Sequence, residues 1–539
     1  MTLDSLLSEH AVNRVATRIW ARDPTVFVGD PAPDAVAEAI RNRLGWLDAP
    51  GAMPARAAEV ASFRRQAAEE GLTDIYLLGM GGSSLCAEVL RDVLGVPGHP
   101  NRLVVLDTTD ERAVQQAAAT LVPERALFLV ASKSGSTLEV TSLESYFWSL
   151  MEKAVATPGR HFAAITDAGT SLVDHAANRG YRHTFINPSD IGGRYSALSL
   201  FGLVPAALLG ISDATLLAPA QEMADACRLD SPTNPGLKLG VFIGSHAAAG
   251  RDKLTFFGSP ELAPLGAWIE QLVAESTGKL GRGVLPVVGE PAAPPDQFAS
   301  DRAFVVVTTP DDAQAPKFAD ALEAAGHPVF RIQTTRDALG AEFFRWEFAT
   351  AVAGAVLGLN PFDEPDVRSA KARTQAQLDA LKTTGSLRIE PPLESGALYQ
   401  RRDNVGPARA GAPGTYVAIL DYLPADPSRA DAINRLRASL RQRLGVATTH
   451  GVGPRYLHST GQYHKGGPNT GVFVLVTSAD ATTTPVPGSS YSFSTLKYAQ
   501  ALGDFDALVA GGRTVVHCHI DGHAADVVTR LEHLLASLN

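Results

Sequence analysis

At 539 residues the chain is long enough for more than one domain, and 45% hydrophobic with 19% charged residues describes an ordinary globular protein with a large core. The formal net charge of −10 excludes a surface built for nucleic acid or anionic membrane, so any anion site must be a local concentration of positive groups. Cys86, Cys227 and Cys518 stand far apart without CxxC spacing, which predicts a reducing compartment and no disulfide framework. The first residues include Asp4 and Glu9 and lack a basic-then-apolar leader, and no apolar run is long enough to span a bilayer. The expected home is cytoplasmic.

In chain order, residues 3–20 and 34–47 read as amphipathic helices, followed by a Pro/Gly/Ala loop and a helix over 55–70. A strand over 74–78 runs into the tight turn Gly79-Met80-Gly81-Gly82-Ser83-Ser84 and a helix over 85–94. Strands over 103–106, 126–130 and 161–165 then alternate with helices over 113–120, 138–153 and 171–178. This short-spaced alternation predicts a parallel sheet covered by helices on both faces. It recurs beyond a boundary near 229–235: helices over 237–250, 262–276 and 313–325 with strands over 254–257, 284–288, 304–307 and 329–333. Long helices over 342–357 and 366–381 follow. After a Pro/Gly/Arg-rich connector over 390–413 comes a smaller unit, with strands over 416–421, 471–476 and 514–517 and helices over 428–444, 495–508 and 524–538.

The stretch Ala131-Ser132-Lys133-Ser134-Gly135-Ser136-Thr137 lies between a buried strand and a helix start. Unpaired N–H groups of the first turn and the helix dipole favour an anion there, and four hydroxyls, a lysine and a glycine exceed what capping needs. The glycine-rich turn at 79–82, with Asp107 ending the next strand, is a weak dinucleotide fingerprint, because its spacing departs from GxGxxG. A nicotinamide site is therefore the alternative, and a sugar phosphate the preferred ligand. His517-Cys518-His519, with Asp521 and His523, presents two imidazoles on one strand face, but polar residues leaving a strand end account for it better than a metal.

Six motifs then occur in an order that resembles the glucose-6-phosphate isomerases: Gly79-Met80-Gly81-Gly82-Ser83, the serine loop through Glu139, Gly192-Gly193-Arg194-Tyr195-Ser196, Glu275-Ser276-Thr277-Gly278-Lys279, Asn360 to Val367 with Lys371, and Leu457-His458-Ser459-Thr460-Gly461-Gln462. Arg18-Ile19-Trp20 and Asn42-Arg43-Leu44-Gly45-Trp46-Leu47 are most similar to the isomerase half of transaldolase–phosphoglucose isomerase fusions. The resemblance implies an α/β protein of two tandem three-layer sugar-isomerase (SIS) domains with parallel sheets, plus a small C-terminal α/β unit. The expected divisions are an N-terminal helical segment (1–54), first and second SIS domains (55–230 and 231–390) and the C-terminal unit with the histidine motif (412–539).

The implied reaction is reversible aldose–ketose isomerisation of glucose 6-phosphate and fructose 6-phosphate, with no metal or cofactor. A carboxylate must move a proton between two carbons, which the resemblance gives to Glu275. A cation must stabilise the enediolate, here Arg194. The resemblance assigns ring opening to His458 and Lys371, and substrate binding to Gly82, Ser83, Ser132, Lys133, Ser134, Thr137, Glu139, Gly193 and, more weakly, Glu364. Two features depart from the family: Glu364 stands where glutamine is common, and the lysine motif precedes the histidine motif. The resemblance further implies a homodimer whose sites share the histidine across the interface. A non-catalytic sugar-phosphate-binding regulator is the competing class, though it would need neither Glu275 nor Arg194.

Overall fold

A computed structural model describes residues 3–387, 394–395 and 399–520. Three sheets organise the chain. The first has five parallel strands, β1 (Asp74–Gly79), β2 (Arg102–Leu106), β3 (Ala126–Ala131), β4 (Phe162–Asp167) and β5 (His183–Asn187), in the order β2-β1-β3-β4-β5. The second, also parallel, has β6 (Lys253–Gly258), β7 (Leu285–Val287), β8 (Arg302–Thr308) and β9 (Val329–Gln333) in the order β7-β6-β8-β9. β1, β3 and β4 are buried along their whole length, as near-continuous apolar strands under helices on both faces should be.

The third sheet is larger than the sequence suggests. It has six strands, β10 (Glu394–Ser395), β11 (Tyr399–Asn404), β12 (Tyr416–Tyr422), β13 (Ala447–Val452), β14 (Gly471–Ser478) and β15 (Thr514–Ile520), in the order β10-β11-β15-β14-β12-β13. β12 to β15 are parallel, and β10 and β11 add an antiparallel edge. β13 escapes sequence reading because Thr448, Thr449 and His450 give it little apolar pattern, as His183, Thr184 and Asn187 do for β5. The stretch 3–20 is two helices, Leu3–Val12 and Val15–Trp20, because Arg14 takes a left-handed conformation between them. The expected helix over 524–538, with Asp521 and His523, lies outside the described residues.

The helix Leu339–Leu357 is buried nearly all round and joins the first two sheets through one continuous core. Trp46, from the N-terminal segment, enters that core and stacks on Tyr195 with ring centroids 5.3 Å apart, which is worth about 1 kcal/mol beyond the burial itself. The N-terminal helices thereby brace the loop that carries Arg194.

Candidate active site

In the first sheet β1 has β2 on one side and β3 on the other, so the strand order reverses between β1 and β3. A crevice outside the carboxyl ends of the strands at such a reversal is where open parallel sheets bind ligands. Gly79 at the end of β1 pairs with Ala131 at the end of β3, which sets the glycine turn and the serine loop side by side. Above them lies a cavity of about 520 Å³, lined among others by Gly82, Ser83, Lys133, Ser134, Thr137, Gly193, Arg194, Glu275, Glu364, Lys371 and His458.

The serine loop ends in the helix Leu138–Ala154, whose N-cap is Thr137. The Thr137 side chain does not cap that helix; its Oγ1 lies 2.9 Å from Ser132 Oγ instead. First-turn N–H groups are thus left without that cap at the edge of the cavity. Ser134 is exposed. Lys133 pairs with Asp167 at the end of β4 and donates to the Ser189 carbonyl at 3.0 Å. Ser132 departs from expectation. It is 3% exposed, does not line this cavity, and faces a smaller pocket beside Val140, Glu144 and His175. Ser132 is the first residue after β3, and its hydroxyl is turned to Thr137 Oγ1.

Arg194 sits in the one-turn helix Gly193–Tyr195 and is 4% exposed. Its Nε donates to Ser276 Oγ at 2.8 Å, and Nη2 donates to the carbonyls of Pro361 and Asp363 at 2.8 and 3.0 Å. That leaves Nη1 between two carboxylates, 3.4 Å from Glu275 Oε1 and 3.1 Å from Glu364 Oε2. Burial works against the Arg194 charge, but Glu275 and Glu364 outweigh it and raise its pKa. Glu364, displaced from the family's glutamine, therefore has a cation. Burial pushes the Glu275 carboxyl upward, Arg194 pulls it down, and Glu364 pushes it up again; the result is above the ordinary carboxylate value. Burial also opposes ionisation of Glu364, but Arg194 holds it below its ordinary value. The split follows exposure, since the Glu275 side chain is 12% exposed and that of Glu364 is 42% exposed.

Glu275 lies near the end of the helix Leu265–Thr277. One turn earlier, Gln271 Nε2 donates to Glu275 Oε2 at 3.1 Å and to the His458 carbonyl at 2.8 Å, while its Oε1 is buried without a partner among the described residues. The lysine of the same motif, Lys279, stays outside the cavity. It donates to the Asn360 carbonyl and Asp363 Oδ1 at 2.8 and 2.7 Å, fixing the loop that bears Glu364, and burial lowers its pKa to about 8.

His458 closes the one-turn helix Arg455–His458 that follows β13. Its Nε2 lies 2.9 Å from Oε1 of Glu139 in the same chain. Arg455 pairs with Glu88 and, at 3.0 Å, with Asp107, and so pins the loop to the first sheet. Gly81 permits the approach: it has φ +53°, and a Cβ there would stand 2.8 Å from the His458 carbonyl oxygen. Gly82 is equally constrained, its Cβ falling 2.0 Å from the Gly193 carbonyl. The histidine and the glutamate it meets therefore belong to one chain. The C-terminal sheet folds against the first sheet and brings its own His458 into the cavity. Burial opposes ionisation of Glu139, but the adjacent His458 and, farther off, Lys371 hold its carboxyl below the ordinary value. Lys371, on the helix Val367–Thr384, is exposed at the rim and makes no hydrogen bond or ion pair among the described residues.

The cavity therefore gathers Glu275, Arg194, His458, Lys371 and most of the expected binding residues. Gln271, Arg43 and Asp167 also line it and were not foreseen. Gln271, four residues before Glu275 on one helix face, was open to detection by spacing. Arg43 and Asp167 carry no comparable signal. His517 is a core residue: Arg402 Nε donates to its Nδ1 at 2.9 Å, and its Nε2 lies 2.9 Å from Thr477 Oγ1.

The phosphoglucose isomerase family model matches residues 55–282. A glucose-6-phosphate isomerase of Campylobacter jejuni is 28% identical over 349 residues, 56% of this chain and 84% of the relative. One of Rubrobacter xylanophilus is 29% identical over 367 residues, 57% of this chain and 83% of the relative. Among solved structures, a hypothetical protein of Thermus thermophilus superposes with a TM-score of 0.60 at 25% identity, covering 69% of this chain and 96% of that one. By these matches and the order of its motifs, the chain is similar to the glucose-6-phosphate isomerases, and its residues 55–282 match the phosphoglucose isomerase family model.

Proposed function

We propose that the protein interconverts glucose 6-phosphate and fructose 6-phosphate by acid–base catalysis. The observation that carries this is the meeting of Glu275, Arg194 and His458 in one cavity with an uncapped helix start. In this reading the phosphate rests on Ser134, Thr137 and the first-turn N–H groups, with Lys133 beside them. His458, with Lys371 at the rim, moves the proton at the ring oxygen and opens the sugar. Glu139 holds the imidazole. Glu275 then takes the proton from one carbon and returns it to its neighbour. A base with a raised pKa suits that exchange near neutral pH. Arg194, already charged and fixed by its carbonyl partners, stabilises the negative oxygen of the enediolate without reorganising. Gly82, Ser83 and Gly193 line the sugar.

Because His458 and Glu139 belong to one chain, each chain carries a whole site, and a homodimer would not need to share it. A cytoplasmic setting is supported by three free, buried cysteines, and no helix among the described residues is long and apolar enough to cross a membrane. The test is to incubate the purified protein with fructose 6-phosphate, without metal or nucleotide, quench it, and measure glucose 6-phosphate separately. Absence of product at high enzyme concentration overturns the proposal.

A further inference from the structure

Glu139 has a second partner besides the histidine. Gln500, on the helix Phe493–Ala510 of the C-terminal unit, donates from Nε2 to Glu139 Oε1 at 2.7 Å. Thr109, on the loop after β2, donates from Oγ1 to Gln500 Oε1 at 2.8 Å. Thr109, Gln500 and Glu139 are 0%, 3% and 5% exposed, so water does not compete for these bonds. The amide can face only one way. Turned over, its oxygen would meet the ionised carboxylate, acceptor against acceptor.

We propose that Gln500 and Thr109 are positioning residues that hold the Glu139 carboxylate, and through it His458, in the geometry needed for ring opening. The inference rests on the isomerase reading above. The same carboxylate oxygen accepts from Gln500 and faces His458 Nε2. An ionised carboxylate only accepts, so the ring proton stays on Nε2 and Nδ1 remains the nitrogen available to a sugar. Gln500 supplies Glu139 with a neutral donor that no change in His458 charge can remove. When the histidine gives up a proton from Nδ1, Glu139 keeps both Nε2–H of the ring and the Gln500 amide and does not swing. The chain also joins the two halves of the site: Thr109 and Glu139 belong to the first sheet's loops and helices, while Gln500 and His458 come from the C-terminal unit.

The test uses full-length Gln500→Leu, Gln500→Glu, Thr109→Val and Thr109→Ser, with folding followed by circular dichroism. Loss of a hydrogen bond to a charged group predicts about a tenfold fall in kcat for Gln500→Leu, with KM within about twofold. Its acid limb should stay in place, because the limb follows Glu275, whose carboxyl lies above the ordinary value while that of Glu139 lies below it. Thr109→Val should fall in the same direction by less, and Thr109→Ser, which keeps the hydroxyl, should restore wild-type behaviour. In Gln500→Glu the introduced carboxyl can donate only when protonated, so activity should decline as pH rises, a slope that a packing defect does not produce. The 15N signals of His458, identified by their loss in His458→Ala, should place its proton on Nε2 in the wild type and lose that preference in Gln500→Leu. A folded Gln500→Leu with wild-type kcat overturns the proposal, as does Thr109→Ser impaired as much as Thr109→Val. A wild type without isomerase activity overturns the isomerase reading instead, and the 15N signals still judge the positioning.

Discussion

Replacing Glu364 by glutamine tests how the site divides one guanidinium between two carboxylates. Arg194 Nη1 is 3.4 Å from Glu275 and 3.1 Å from Glu364, so the two carboxylate oxygens are at most about 6.5 Å apart. At an effective dielectric of about 20 their repulsion is about 2.5 kcal/mol, or nearly two pH units. The Glu364 side chain is 42% exposed, however, and solvent screening reduces the expected effect to about one unit. The sign follows from removing a negative charge. The ionised form of Glu275 is no longer opposed, so its pKa falls toward the ordinary carboxylate value. In Glu364→Gln the acid limb of kcat/KM should therefore move down by about one pH unit. The assay is kcat/KM for fructose 6-phosphate between pH 5 and 9, wild type against variant. Both enzymes meet the same substrate, so its own phosphate ionisation cancels in the comparison. A limb that stays in place, or moves upward, refutes the electrostatic account of Glu275.

Glu275→Gln should lower turnover by about 10³-fold or more while leaving sugar-phosphate affinity, measured by calorimetry, within a few-fold of wild type. Comparable losses of turnover and affinity would mean that Glu275 binds rather than catalyses. Ser134→Asp should weaken glucose 6-phosphate binding at least tenfold by placing like charge beside the phosphate. Ser132→Ala should matter far less, since that hydroxyl meets Thr137 rather than the cavity; equal effects would move the phosphate toward Ser132. Mixing Glu275→Gln with His458→Ala under conditions of proven subunit exchange should restore no activity, because every site then lacks one group. Recovery of about a quarter of wild-type activity would return the histidine to a neighbouring subunit.

Amino-acid order alone determined the parts of the site that are local. A buried apolar strand, a loop of small hydroxyl residues and a helix start are defined within about fifteen residues, which is why the serine loop at 131–137 and the turn at 79–84 stand at neighbouring strand ends as their pattern predicts. The same patterning foretold two parallel sheets. Tertiary structure decided what is not local. Which way Ser132 faces just beyond β3 depends on the folded loop, where its hydroxyl meets Thr137 Oγ1 and lines a different pocket, and a loop motif does not show this. That Glu364 finds Arg194, 170 residues away, depends on how Lys279 ties down the loop between them. His458 reaches Glu139 across 319 residues, and Gln500 reaches the same oxygen across 361. Periodicity specifies elements, but it carries no information about which strand end a distant loop will cover. That choice belongs to the packing of the C-terminal sheet, where β13 and the antiparallel edge lacked the apolar alternation by which strands are recognised.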